Sequence, residues 1–200
     1  MIHIGEPAFY ETVYDDAFRH DVVLVEGVNS FVVRRITSSY RWVAKAGLGL
    51  IVQPSHRTAA NLPARIVHAD LSADEFRSAW RKVPFWLRVL VLICSPIFGL
   101  QQRFLSTRQS LARGKSMDDL ASRDDILTWD PTIAKLEDCL IEVRDARLIE
   151  KLREELALKK NAQKKIAIVY GASHMRAVLA ELHKQNFVSS DSRWLTIFTV

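Results

Sequence analysis

Five polar side chains fall where predicted strands of this sequence end: His3, Glu26, His68, Asp70 and His174. Each stands at, or just past, the carboxyl end of a short apolar run that predicts a buried strand. Carboxyl ends of parallel strands meet at one edge of an open α/β sheet, which is where ligands bind. Two imidazoles with one or two carboxylates can hold zinc, manganese or iron, which polarises a carbonyl and activates water. The same residues could instead cap helices and pair locally, and their spacing leaves both interpretations open.

The late strand end is the clearest of these positions. Residues 166–170 form a short run rich in β-branched side chains, bounded by lysines before it and Gly171 after it. From Ser173 onward the apolar residues recur at helical spacing. The segment predicts a strand, a glycine turn and a helix, with His174 where the helix begins.

The other strands define the fold class. Residues 22–26 are apolar on both faces, which predicts a sheet covered on both sides. Residues 65–70 predict a third strand and residues 194–200 a last one, whereas residues 73 to about 160 contain no convincing strand. We therefore predict one α/β domain over residues 1–200, a mixed sheet covered by helices with a large helical insertion between the third strand and the late strand.

The amino-terminal residues predict only part of a strand. Residues 1–4 look like its last part, and Gly5, Glu6 and Pro7 form a turn into a helix. A strand needs about five residues to pair well. We therefore expect the first strand to be truncated at residue 1.

Composition narrows the class of protein. The apolar and charged fractions, 48% and 26%, are ordinary for a soluble globular chain, and the net charge is +5. The basic residues are scattered without an aromatic-plus-basic stripe, so nucleic-acid binding is not expected. Cys94 and Cys139 lack metal-ligand spacing and no basic signal-peptide region opens the chain, which indicates a reducing, cytoplasmic compartment.

One apolar stretch, residues 83–100, resembles a membrane-spanning segment in composition. The uncharged run between Arg88 and Arg103 is 14 residues long, and Pro96 and Gly99 interrupt it. This is short for a bilayer span. We expect a buried or partner-facing helical hairpin here, with contact to a membrane surface, contact to a second copy of the chain, or a true span as the alternatives.

The order of the motifs resembles the TraB/PrgY/GumN/Tiki superfamily. Gly-Ala-Ser-His at residues 171–174 matches the late Gly-x-x-His motif of that family, and residues 22–27 match its strand ending in glutamate. Residues 2–7 resemble the end of its first motif, whose glycine would precede residue 1. Arg144-Asp145 resembles an Arg-Asp or Arg-Asn step on a long helix.

The resemblance implies a metal-dependent hydrolase of peptide or small ester substrates, since Tiki proteins are metalloproteases and erythromycin esterases are distant relatives. It implies that His3, Glu26 and His174 are ligands of a divalent transition metal (Mn, Co, Zn or Fe) or catalytic groups. Arg144 would stabilise an anionic intermediate or a substrate carboxylate; it could equally pair with Asp145 or a nearby acid. The alternative function is a non-catalytic module that sequesters a peptide or small ligand, or regulates a membrane partner.

Overall fold

A three-stranded parallel sheet lies at the centre of the fold. The computed structural model describes residues 3–44, 47–54, 64–113, 131–158 and 164–200. The sheet order is β4-β2-β5, formed by Arg65–His68, Val22–Val25 and Ile166–Val169. In the register of the central strand, Val22 lies opposite both Arg65 and Ile166. The protein is therefore α/β, and these three predicted strands are confirmed.

The central strand is buried on both faces because its side chains alternate between two apolar clusters. Val22 and Leu24 pack with residues from the late strand and the carboxyl-terminal helices, including Leu148. Val23 and Val25 pack on the other face with the first helix. All four residues of β2 are at most 2% exposed. Such an all-apolar strand can only exist between covering layers.

Nine α-helices cover the sheet and the space beside it in the described residues. They are α1 Pro7–Phe18, α2 Phe31–Ile36, α3 Ser38–Ala44, α4 Ala73–Lys82, α5 Phe85–Leu105, α6 Arg108–Arg113, α7 Pro131–Glu137, α8 Val143–Ala157 and α9 Met175–Lys184. A π-helical turn, Asp138–Glu142, joins α7 to α8, and a 3₁₀ turn, Ala172–His174, precedes α9. A capping box begins α4, with Ser72 and Glu75 exchanging two hydrogen bonds. The described residues between β4 and β5 are helical and contain no strand.

The first strand lies outside the parallel sheet. β1, Ile4–Gly5, pairs antiparallel with β3, Ile51–Val52, as a separate two-stranded ribbon. The predicted strand at residues 194–200 is wrong, since no strand is assigned there. That segment runs beside β1 as extended chain, and the backbone N–H of Glu6 donates to the carbonyl of Ile197 over 2.9 Å.

The apolar stretch around residues 83–100 forms one continuous helix, so the predicted hairpin is wrong. α5 extends for 21 residues through Pro96. Proline removes one main-chain hydrogen bond from a helix, and the hydroxyl of the adjacent Ser95 donates to the carbonyl of Val91 over 2.6 Å. Among the described residues, α5 is the one helix long and apolar enough to cross a membrane, and only 11% of that stretch is buried.

Candidate functional site

The carboxyl ends of β2 and β4 bring two carboxylates to one arginine of α8. Nη2 of Arg144 lies 2.6 Å from Oε1 of Glu26 and 2.7 Å from Oδ2 of Asp70. Its Nε donates to Oδ1 of Asp70 over 3.0 Å, so Asp70 and Arg144 meet in a two-bond fork. We call these three side chains the arginine clamp. The resemblance does not include Asp70 among the site residues, whereas the structure places it in direct contact with Arg144.

The arginine clamp is withdrawn from solvent. The side chains of Arg144 and Glu26 are each 13% exposed, and that of Asp70 is 1% exposed. Burial alone would raise the pKa of Asp70, but the Arg144 guanidinium and the backbone N–H groups of Leu71 and Gly27 hold it below its usual value. Burial alone would lower the pKa of Arg144, and the two carboxylates outweigh it and raise that pKa. The opposite shifts of the two pKa values favour the charged forms of Asp70 and Arg144, so this pair stays ionised.

Gly171 brings the late strand into contact with the clamp. Its backbone N–H donates to Oε2 of Glu26 over 2.6 Å. A Cβ atom at this position would lie 3.2 Å from that same oxygen and 3.1 Å from Cδ2 of His174. Close approach thus favours glycine at this position of the Gly-Ala-Ser-His motif, and it shows that Glu26 and His174 converge on the same point.

His174 forms a second pair beside the clamp. Its Nδ1 lies 2.6 Å from Oδ1 of Asp145, and the histidine is 2% exposed. The ring of Tyr170 meets the imidazole edge to face at 4.9 Å, and the same ring lies 5.7 Å from the guanidinium carbon of Arg144. When Nδ1–H donates to Asp145, Nε2 is left as the basic nitrogen of the ring. A histidine oriented by a carboxylate is the usual arrangement of a general base.

Asp145 was not identified from the sequence as a site residue. The sequence suggested it only as an ion-pair partner for Arg144, whereas Arg144 pairs with Glu26 and Asp70. Adjacent residues on an α-helix point about 100° apart. Arg144 and Asp145 therefore reach different partners, the clamp and His174. That angular offset was the signal available in the Arg-Asp step.

His3 lies near this site but is held by other partners. Its ring stacks on Tyr40 with centroids 5.0 Å apart, and its Nδ1 lies 3.2 Å from Oε1 of Gln53. Burial lowers the pKa of His3, and the nearby negative charge of Glu26 opposes that effect. Because β1 belongs to the antiparallel ribbon, His3 reaches the site from a different sheet than Glu26 does.

The arrangement does not fit the predicted metal centre. Within the described residues, no group of three or more His, Cys, Asp or Glu side chains is placed to hold a metal ion. Both carboxylate oxygens of Glu26 accept hydrogen bonds, from Arg144 and Gly171, and Nδ1 of His174 is paired with Asp145. Among the described residues, His3, Glu26 and His174 do not form such a group, and their role as metal ligands stays a prediction.

A cleft opens on the Asp70 side of the arginine clamp. It has a volume of about 390 Å³, and its lining includes Asn29, His68, Asp70, Arg147 and Lys151. Arg147 and Lys151 lie one turn apart on α8, on the helix that also supplies Arg144. The cleft has the size of a small-ligand site and carries charges of both signs.

Comparisons with protein families, with curated proteins and with solved structures found no match to this chain.

Proposed function

We propose that the protein is a hydrolase of the TraB/PrgY/GumN/Tiki type that acts on peptide or small ester bonds in a cytoplasmic compartment. In this proposal the helices between β4 and β5 are the family's helical insertion, and they supply Arg144 and Asp145 to the edge of the sheet. The observation that carries the proposal is the 2.6 Å contact between His174 and Asp145, next to the arginine clamp. Catalytic bases oriented by a carboxylate occur at such strand ends in many α/β enzymes.

The chemistry follows from the protein's own side chains. Nε2 of His174 removes a proton from a water molecule, and the resulting hydroxide attacks the scissile carbonyl. Asp145 stabilises the imidazolium that forms, which then returns the proton to the leaving nitrogen or oxygen. These steps are assigned to His174 and Asp145, whose 2.6 Å contact through Nδ1 leaves Nε2 as the basic nitrogen of the ring.

Arg144 supplies a positive charge beside the base, since its guanidinium and the His174 imidazole both lie against the ring of Tyr170. Its Nη1 makes the longest of its contacts, 3.4 Å to the carbonyl of Leu140, so this nitrogen is the one most available to a substrate oxygen. An oxyanion beside a buried guanidinium is strongly stabilised because little water competes. The two carboxylates of the clamp weaken this stabilisation of the oxyanion, but they also hold the guanidinium in place.

Access to the base requires a local opening. His174 is 2% exposed, so water and substrate reach Nε2 only when the 3₁₀ turn Ala172–His174 moves outward. A single turn between a strand and a helix can open with little loss of core contact. The proposal therefore expects slow turnover limited by this opening.

The test compares three single variants on ester and fluorogenic peptide substrates in the presence of EDTA. His174→Ala should lower kcat/KM by roughly 100-fold or more, and Asp145→Asn by at least about tenfold, while the protein remains folded. The matched control is His183→Ala, which removes an exposed histidine at the end of α9. Full activity in His174→Ala would refute the proposal, and so would complete inactivation of the native protein by EDTA.

A non-catalytic module that sequesters a peptide or small ligand is the second candidate. The arginine clamp favours it, because the charge of Arg144 is already offset by Glu26 and Asp70. This function predicts stoichiometric binding in the cleft that persists in His174→Ala and is lost on adding bulk, for example in Asn29→Trp. Calorimetric titration with candidate peptides separates the two functions, since only the hydrolase converts the ligand.

A further inference from the structure

The outward face of α5 presents an apolar stripe with no covering layer among the described residues. The stripe recurs at alternating steps of four and three residues. Its members are Trp86, Leu90, Ile93, Ile97, Leu100 and Phe104, each 44–74% exposed. At 3.6 residues per turn these six side chains fall within a sector roughly 80° wide. Folded soluble proteins rarely expose so many large apolar side chains together, so the stripe marks an interaction surface.

The opposite face of α5 is fixed to the rest of the protein. Leu87 belongs to the core cluster that also contains Trp80 and Cys139, and Gly99 is buried. The helix packs along α2 and α3. A helix anchored along one side cannot insert on its own across a bilayer, but it can lie flat with its free side in contact with lipid.

The charges around α5 indicate which kind of partner its apolar stripe contacts. Residues 76–117 contain eight lysines and arginines and no aspartate or glutamate. Arg103 lies over the ring of Phe104, with its guanidinium 5.8 Å from the ring centroid, which keeps a cation beside the apolar stripe. Arg77 and Arg108 are ion-paired with Asp74 and Glu6, which still leaves an excess of positive charge around α5. A second copy of the chain would bring that positive charge against itself. Anionic lipid headgroups above an apolar layer complement both the stripe and the charges.

We infer that α5 docks the protein on the surface of an anionic lipid bilayer, with the helix axis in the plane of the membrane. Its 21 residues extend about 31 Å along that plane. Trp86 and Phe104 lie near the two ends of the stripe, where aromatic side chains anchor to the headgroup layer. This surface is separate from the Glu26–His174 site and requires no catalytic activity.

The test measures flotation of the full chain with vesicles of phosphatidylcholine alone or with about 30 mol % phosphatidylglycerol. The native protein should float with the anionic vesicles, and raising salt from about 0.1 M to about 0.5 M should weaken binding without abolishing it, since the apolar contact remains. The double variant Ile93→Glu/Ile97→Glu should lower the partition coefficient by roughly 100-fold or more, because two apolar side chains no longer enter the lipid.

A matched control carries the same charge change elsewhere. Leu179→Glu/Val188→Glu replaces apolar residues that are 56% and 83% exposed, compared with 54% and 60% for Ile93 and Ile97. The control should float as the native protein does, and thermal melting should show that both variants fold. Flotation of Ile93→Glu/Ile97→Glu at the native level would overturn the inference. It would also be overturned if the native protein formed a dimer that ignores vesicles, or if it resisted carbonate extraction as a spanning helix does.

Discussion

Replacing Arg144 with methionine tests whether the arginine clamp holds the site together. Methionine keeps much of the aliphatic volume and removes the charge, so Glu26 and Asp70 become two buried carboxylates without a cation. Breaking a buried ion pair by removing one partner costs about 3–5 kcal/mol, because the remaining charge is left uncompensated. Arg144→Met should therefore lower the free energy of unfolding at pH 7 by about that amount, measured by urea denaturation.

The pH dependence of that loss identifies its cause. In the native protein the pKa of Asp70 is lowered mainly by Arg144 against the effect of burial. Its stabilising contribution is present above the unfolded pKa of about 3.9 and is lost as pH falls through the folded value. Without the guanidinium, burial raises the pKa of Asp70 in the folded state. The folded variant then binds more protons than the unfolded chain, so its stability falls as pH rises from 5 to 7, by about 1.4 kcal/mol per unit of raised pKa.

Two comparisons complete this experiment. Arg147→Met, one turn further along α8, removes an arginine whose partners Glu75 and Glu150 are 42% and 56% exposed, and it should cost less than about 1 kcal/mol. Adding Glu26→Gln and Asp70→Asn to Arg144→Met should recover much of the loss. The reasoning is refuted if Arg144→Met costs no more than Arg147→Met, or if its stability is the same at pH 5 and pH 7.

Two further predictions concern the glycine of the late motif and the thiols. Gly171→Ala should lower the free energy of unfolding by about 1–3 kcal/mol, since its methyl group meets two side chains at 3.1–3.2 Å, and thermal melting followed by circular dichroism should detect the loss; an unchanged melting temperature would contradict the close approach. Both cysteines are free, Cys94 exposed and Cys139 buried, and burial raises the pKa of Cys139 to about 11. A thiol reagent at pH 7 should therefore label Cys94 rapidly and Cys139 only on unfolding, as mass spectrometry of digested protein would show; fast labelling of both would contradict the packing around Cys139.

The strands of the parallel sheet could be predicted because each one is encoded by a short run of neighbouring residues. The runs ending at Val25 and Val169 are apolar and rich in β-branched residues, and the run ending at His68 has Ile66 and Val67 at its centre. Each forms a strand where predicted. The three strands run in the same direction, so Glu26 and His174 are placed at one edge of the sheet. The close approach of both side chains to Gly171 supports this placement.

The errors arise where the outcome depends on distant partners. Residues 194–200 have a strand-like composition, but a strand also needs a neighbour with the right register. This segment meets the chain before α1 through a main-chain hydrogen bond at Ile197 and contacts of Thr199 with the Glu6 carboxylate, and it forms no ladder there. Pro96 predicts a break in the apolar stretch, yet the packing of α5 against α2 and α3 keeps the helix continuous. The contact of Arg144 with Glu26 and Asp70 also depends on distant partners, and residue types at strand ends do not reveal it.

The π-helical turn Asp138–Glu142 determines the angular phase of the whole candidate site. A π turn accommodates one more residue than an α-helical turn does, so everything downstream is rotated by about 100° relative to an uninterrupted helix. Arg144 and Asp145 follow this turn directly. Deleting one residue within this turn would leave every catalytic candidate in the sequence, yet it would turn Arg144 and Asp145 away from their partners. Among homologues, the number of residues in the turn should therefore be more informative than their identity.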